Sequence, residues 1–145
     1  LGSWTDFVGD EYKAFSGTAV YTTTINKVPV ADVIKLDLGS VAENASVYLN
    51  GDYISTVIDS PYQLYIPAEK FKGQDELVVR VANSMANRIA YMDKKGVDWK
   101  IFYNVNMSAR KKENVKNGIF DASDWEPKSS GLLGPVTLTP AMVKQ

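Results

Sequence analysis

At 145 residues the chain is long enough to bury a core without disulfide or metal staples. Its 16 Lys and Arg against 17 Asp and Glu leave a net charge of −1, so no whole-molecule field draws in nucleic acid. Cysteine and histidine are both absent, which excludes disulfides, thiolate zinc sites, a cysteine nucleophile and any Ser-His-Asp triad. No apolar run approaches the ~20 residues of a membrane span. No signal peptide is present, so an export signal is expected to lie outside this sequence. A single domain over 1–145 is expected.

The first stretch, Leu1 to Phe15, spreads Trp4, Phe7, Tyr12 and Phe15 among polar residues and reads as a lead-in whose aromatics cover one edge or end of a core, with Trp4 as a plug. Gly17 to Ile25 is dense in β-branched residues and predicts a long strand. After a turn at Asn26-Lys27-Val28-Pro29, Ile34, Leu36 and Leu38 alternate with Lys35 and Asp37, the pattern of a half-buried strand, and Gly39 ends it. Ala45 to Ile58 predicts a hairpin around Asn50-Gly51, since both residues tolerate the positive φ of a type I′ turn. That turn sets Leu49 opposite Asp52, Tyr48 opposite Tyr53, Val47 opposite Ile54 and Ser46 opposite Ser55. The tyrosine pair is then either a flat binding face or a cross-strand stiffener.

Beyond Ser60-Pro61, Tyr62 to Ile66 predicts a short strand stopped by Pro67. Ala68 to Lys72 predicts one helical turn, and Glu76 to Ala82 a strand with Leu77, Val79 and Val81 inward. From Asn83 to Ser130 the periodicity is poor, and Trp99, Phe102, Tyr103, Phe120 and Trp125 sit among polar residues. A loop region of this length is functional or internally packed. Asn117-Gly118 offers a second tight turn. Gly131 to Leu138 closes the sequence as the last strand, with Pro135 suggesting an edge. Short strands separated by turn signals predict an all-β sandwich or jelly roll rather than βαβ units. Within the loop region, Lys94, Lys95, Lys100, Arg110, Lys111, Lys112 and Lys116 face only Asp98 and Glu113, which is either a solvated stretch or a patch for an acidic glycan.

Four stretches in this order carry a resemblance: Phe15 to Tyr21, Ala45 to Gly51, Glu76 to Asn83 and Ser130 to Val136. Together they resemble the sugar-binding-type domain of family 2 glycoside hydrolases, in the version carried by large bacterial α-L-rhamnosidase-like enzymes. Stretches like Ala86-Asn87-Arg88-Ile89 and Ser123-Asp124-Trp125-Glu126-Pro127 occur in the C-terminal part of those enzymes. The resemblance implies a galactose-binding-domain-like jelly roll and a secreted, periplasmic or cell-surface location. It places the catalytic carboxylates in another domain of the same polypeptide, and names carbohydrate and that catalytic domain as partners. It needs no cofactor, although a structural calcium ion is compatible with it. Asp6, Asp10 and Glu11 offer oxygens for one, without EF-hand-like spacing.

Glycan recognition calls for an aromatic platform under a pyranose ring and amide, carboxylate or guanidinium groups for its hydroxyls. Tyr91, Trp99, Tyr103 and Trp125 are the platform candidates; Arg88, Asn104, Asp124 and Glu126 lead the polar ones, with Asn87, Asp98 and Asn106 beside them. Three readings of function follow. The first is a non-catalytic carbohydrate-binding module, or one that supports a catalytic domain. The second is a purely structural interdomain module with an apolar docking patch. The third is a small hydrolase using a pair among Asp121, Asp124 and Glu126.

Overall fold

Alternating apolar residues build the strands, and their order builds the layers. A computed structural model of the protein describes residues 1–103 and 107–141. It divides into two compact units, one comprising Leu1–Trp4, Gly17–Asn83 and Ser129–Gln145, the other Thr5–Ser16 and Ser84–Lys128.

The first unit is an antiparallel β-sandwich of the jelly-roll kind expected. Strands β1 (Thr18–Ile25), β2 (Val33–Asp37), β3 (Ser40–Ala42), β4 (Asn44–Leu49), β5 (Asp52–Val57), β6 (Gln63–Pro67) and β7 (Asp75–Ala82) run in sequence order. They sort into a four-stranded sheet ordered β1-β7-β4-β5 and a sheet in which β2 pairs with β6. Leu36, Leu64 and Ile66 from the second sheet and Val47, Leu77, Val79 and Val81 from the first share one buried cluster. On β7 burial alternates residue by residue, with Leu77, Val79 and Val81 inward as their spacing requires.

The central hairpin turns at Asn50 and Gly51, with φ of 53° and 85°, so the residues that favour the turn make it. Leu49 pairs with Asp52 and Tyr48 with Tyr53. The expected register then fails: Val47 stands opposite Ser55 and Ser46 opposite Thr56, because a β-bulge intervenes. Ile54 and Val57 are three residues apart and in a regular strand would point to opposite faces. The bulge brings both against the core, and β5 lies at the sheet edge, where bulges are best tolerated.

The closing segment also departs from the single strand expected over Gly131 to Leu138. It splits into β10 (Gly131–Gly134), paired with β3, and β11 (Thr137–Ala141), paired with β2. Pro135 lacks the N–H needed to continue a ladder, and Gly134 has a φ of 75° that turns the chain. Gly39 crosses Gly134 so closely that a Cβ on Gly39 would lie 2.4 Å from the Gly134 carbonyl carbon. Trp4 is buried in this unit, and its backbone N–H donates to the Ser130 carbonyl at 3.0 Å.

One polar lock ties the hairpin to β7. The buried Asp75 carboxylate accepts from Asn50 Nδ2 at 2.7 Å and from the backbone N–H groups of Lys72 and Gly73 at 2.8 and 3.0 Å. Asn50 in turn accepts from the Glu76 N–H at 3.0 Å through its side-chain oxygen, and its own N–H donates to the Glu76 carbonyl at 2.8 Å. Burial pushes the Asp75 carboxyl up, but the Asn50 bond and the two backbone bonds outweigh it and hold the group below its ordinary 3.8. A carboxylate depressed in the folded state stabilises fully above its unfolded pKa and loses that contribution as pH falls through the folded value. The unfolding free energy in denaturant titrations is therefore expected to drop from about pH 3.8 downward. Asp75→Asn is expected to lower stability at pH 7 by about 1–3 kcal/mol and to flatten this acid limb. An unchanged acid limb in the variant removes Asp75 as its source.

Candidate carbohydrate-binding cleft

The second unit is built on helix α1 (Asp10–Ala14), helix α2 (Ala86–Lys94) and a small hairpin of β8 (Val115–Lys116) and β9 (Ile119–Phe120). The stretch expected to be loop thus contains a nine-residue helix. Its buried positions are Asn87 and Ala90; a small residue and a polar one leave almost no apolar periodicity to read. The expected second turn forms, with Asn117 and Gly118 at φ of 51° and 79°.

The core of this unit is small in volume: Ala90, Ala109, Phe120 and Ala122, with Ile89, Trp99 and Trp125 packed on it. Polar anchors do much of the positioning. Asp93, its side chain 1% exposed, accepts from Trp99 Nε1 at 2.7 Å, from Lys100 Nζ at 2.5 Å and from the Ala122 N–H at 2.8 Å. Asn114 Oδ1 accepts from Trp125 Nε1 at 2.8 Å. Asn87 ties α2 to Lys128 through two 2.8 Å bonds, one donated to the Lys128 carbonyl and one accepted from its N–H. Neither Asp93 nor Asn114 was legible as an anchor, since each meets its indole only through the tertiary fold.

Around these anchors opens a cleft of about 470 Å³. Tyr91, Trp125, Asp124 and Glu126, all expected site residues, line it together with Asn87; so do Lys94 and Lys95 of the basic stretch, Asp10, expected only as a calcium oxygen, and Lys13, which the sequence did not mark. Trp125 packs edge-on against Phe120, ring centroids 5.8 Å apart. The indole is therefore fixed at one end by Asn114 and on one side by Phe120, while part of it remains solvent-facing. Tyr91 is flanked by cations from its own helix or its end: Arg88 at 5.8 Å and Lys95 at 5.5 Å from the ring centroid, as three- and four-residue spacings place them. Trp125 is thus the better platform of the two.

The remaining expected residues do not line the cleft. Trp99 is held by Asp93 in the small core, with Lys100 Nζ 5.2 Å from its ring centroid. Arg88 lies over Tyr91, Tyr103 is 55% exposed and absent from the lining, and Asn104, like Asn106, lies outside the described residues. The basic stretch is partly consumed in ion pairs, Lys95 with Asp10, Lys100 with Asp93, and Lys116 with Asp121 and Asp124. Asp121 accepts from the Ser123 hydroxyl and N–H and from Lys116, and despite its partial burial these bonds hold its carboxyl below the usual range. Lys116 is raised by its bond to Asp124 and by Asp121. A glycosidase general acid needs a raised pKa, so Asp121 is unsuited to that role. Among the described residues no group of three or more Asp, Glu, His or Cys side chains is placed to hold a metal ion, and no helix is long and apolar enough to cross a membrane.

No family model matches the sequence. A putative beta-glucuronidase of Formosa agariphila is 33% identical over 153 residues, an alignment covering 95% of this chain and 13% of that protein. The solved rhamnosidase from Novosphingobium sp. PP1Y superposes with a TM-score of 0.74 at 28% identity, over 95% of this chain and 12% of that one. Over nearly its whole length the chain matches one small part of these larger glycoside hydrolases. It spans about an eighth of these relatives' length. The second unit makes up more than a third of the sequence, so a match over 95% of the chain includes most of it; the cleft-bearing unit is part of the shared domain.

Asp93→Ala is expected to destabilise the protein by about 1–3 kcal/mol, because it leaves the Ala122 N–H and the Trp99 indole N–H without their acceptor. Tryptophan fluorescence should shift to the red as Trp99 gains water. An unshifted spectrum with unchanged stability overturns the anchoring role.

Proposed function

We propose that this domain is a non-catalytic module of a larger glycoside hydrolase that recognises carbohydrate, and that it works outside the cytoplasm on a polysaccharide. The observation that carries the reading is the convergence of Trp125, Tyr91, Asp124 and Glu126 on one cleft. A fixed indole suits the apolar face of a pyranose, and carboxylates at its rim suit ring hydroxyls. Lys13 and Lys94 add donors at the same rim. Asn87 contributes shape rather than recognition, since both ends of its amide are engaged by Lys128. Open, wet sites of this kind bind modestly.

A second reading has its own support. In the sandwich unit a groove of about 570 Å³ opens beside β1 and β11, lined by Leu1, Ile25, Leu77, Val79, Leu132 and Leu138 among others. Core side chains that reach a surface groove suit docking of a neighbouring domain of the same polypeptide, which is what a purely structural module needs.

Calorimetric titration of the protein with a panel of plant and mucin oligosaccharides separates the two. Recognition predicts binding to at least one glycan, weakened about tenfold or more by Trp125→Ala through loss of the stacking surface. Trp99→Ala is expected to act through stability instead. Binding to no glycan in the panel favours the structural role.

A further inference from the structure

The outer face of the four-stranded sheet carries a second, independent arrangement. Register places Val20, Arg80 and Ser46 in one row across β1, β7 and β4, with Thr18, Ala82 and Asn44 in the row above and Thr22, Val78 and Tyr48 in the row below. Arg80 stands at the centre of this grid. These residues, except Thr22 and Val78, line a shallow groove of about 470 Å³, within the size range of small-ligand sites.

Three features single out Arg80. It is solvent-exposed in mid-sheet, and among the described residues no carboxylate lies within ion-pair distance of it. It is held rather than free: its guanidinium carbon lies 4.8 Å from the Tyr48 ring centroid, and Tyr53 braces Tyr48 edge-on at 5.5 Å. A cation ordered by an aromatic ring loses less freedom when it binds. Beside it, the Tyr53 hydroxyl donates to Thr56 Oγ1 at 3.0 Å, and Thr56 Oγ1 lies 2.7 Å from Ser46 Oγ. With Thr56 accepting from Tyr53 and donating its own hydroxyl hydrogen bond to Ser46, the Ser46 hydroxyl is left to donate to an acceptor in the groove. The bulge in β5 is what sets Thr56 opposite Ser46.

We propose that this face binds a carboxylate-bearing saccharide, the carboxylate taken by the planar fork of Arg80 and a second acceptor by Ser46. An unpaired guanidinium fits a planar two-oxygen anion. Asn44 and Thr18 supply the amide and hydroxyl that ring hydroxyls need, which favours a sugar over an apolar protein surface. The site shares no residue with the Trp125 cleft and stands whether or not that cleft binds.

Titration of the protein with methyl β-D-glucuronide and methyl β-D-glucoside, followed by NMR chemical shifts, tests this. The pair differs only in the carboxylate. The glucuronide is expected to perturb resonances of β4 and β7 saturably, and the glucoside not to. Arg80→Gln should weaken the glucuronide by about tenfold or more, and Arg80→Lys should weaken it too, since the charge survives but the fork does not. Trp125→Ala should leave glucuronide binding intact. Raised salt should loosen the complex. Equal binding of both glycosides, or glucuronide affinity unchanged in Arg80→Gln with its thermal midpoint intact, overturns the proposal. Tighter binding of glucose 6-sulfate than of the glucuronide overturns the assignment to a carboxylate.

Discussion

The register between β4 and β7 is the constraint on which the sandwich depends, and the Asn50–Asp75–Glu76 lock enforces it. Side chains in a strand alternate between faces, so a slip of one residue would turn Leu77, Val79 and Val81 to solvent and Arg80 into the core. The hydrophobic pattern resists that slip along the whole strand. The lock resists it at one point, where a buried carboxylate has three donors and the turn asparagine grips both the side chain of Asp75 and the backbone of Glu76. Asn50 therefore has two jobs: its backbone takes the left-handed φ that the turn needs, and its amide ties the turn to the neighbouring strand. A glycine there would keep the first and lose the second.

The two units use different means of support. The sandwich buries long aliphatic side chains from two layers, so its stability is spread over many contacts. The second unit buries alanines and a few rings, and gains its definition from directional bonds to Asp93, Asn114 and Asn87. Directional bonds fix orientation better than volume does. That is useful for a surface tryptophan meant to present one face: Trp125 is tied at its nitrogen and braced by Phe120, and so is ordered before any ligand arrives.

The same two means explain the two surfaces proposed as sites. In the cleft, order comes from hydrogen bonds to an indole. On the sheet, it comes from a stack in which Tyr53 braces Tyr48 and Tyr48 holds Arg80. Both leave polar groups aimed outward from a rigid support, the condition under which a weak, wet contact becomes selective.

The sequence alone determined the sandwich. Ile34, Leu36 and Leu38, then Leu77, Val79 and Val81, alternate strictly, and Asn50-Gly51 and Asn117-Gly118 have the backbone freedom their turns require; these are local properties, carried by neighbours in the chain. The platform residues Tyr91 and Trp125 and the acids Asp124 and Glu126 were legible as chemistry, though not as a set. Tertiary structure decided the rest. Helix α2 hid behind an alanine and an asparagine, whose burial follows from what packs on them and not from their apolarity. The bulge at Ile54 answers a demand of the core, since two apolar side chains three apart cannot otherwise both face inward. The closing strand divided because two sheets claimed its halves. Arg80 looked like any outward lysine or arginine on a strand, and only pairing across three strands set it opposite Ser46 and over the Tyr48 ring, with no carboxylate within ion-pair distance among the described residues. Distances between residues far apart in sequence are fixed by packing, and packing is the one thing that periodicity does not state.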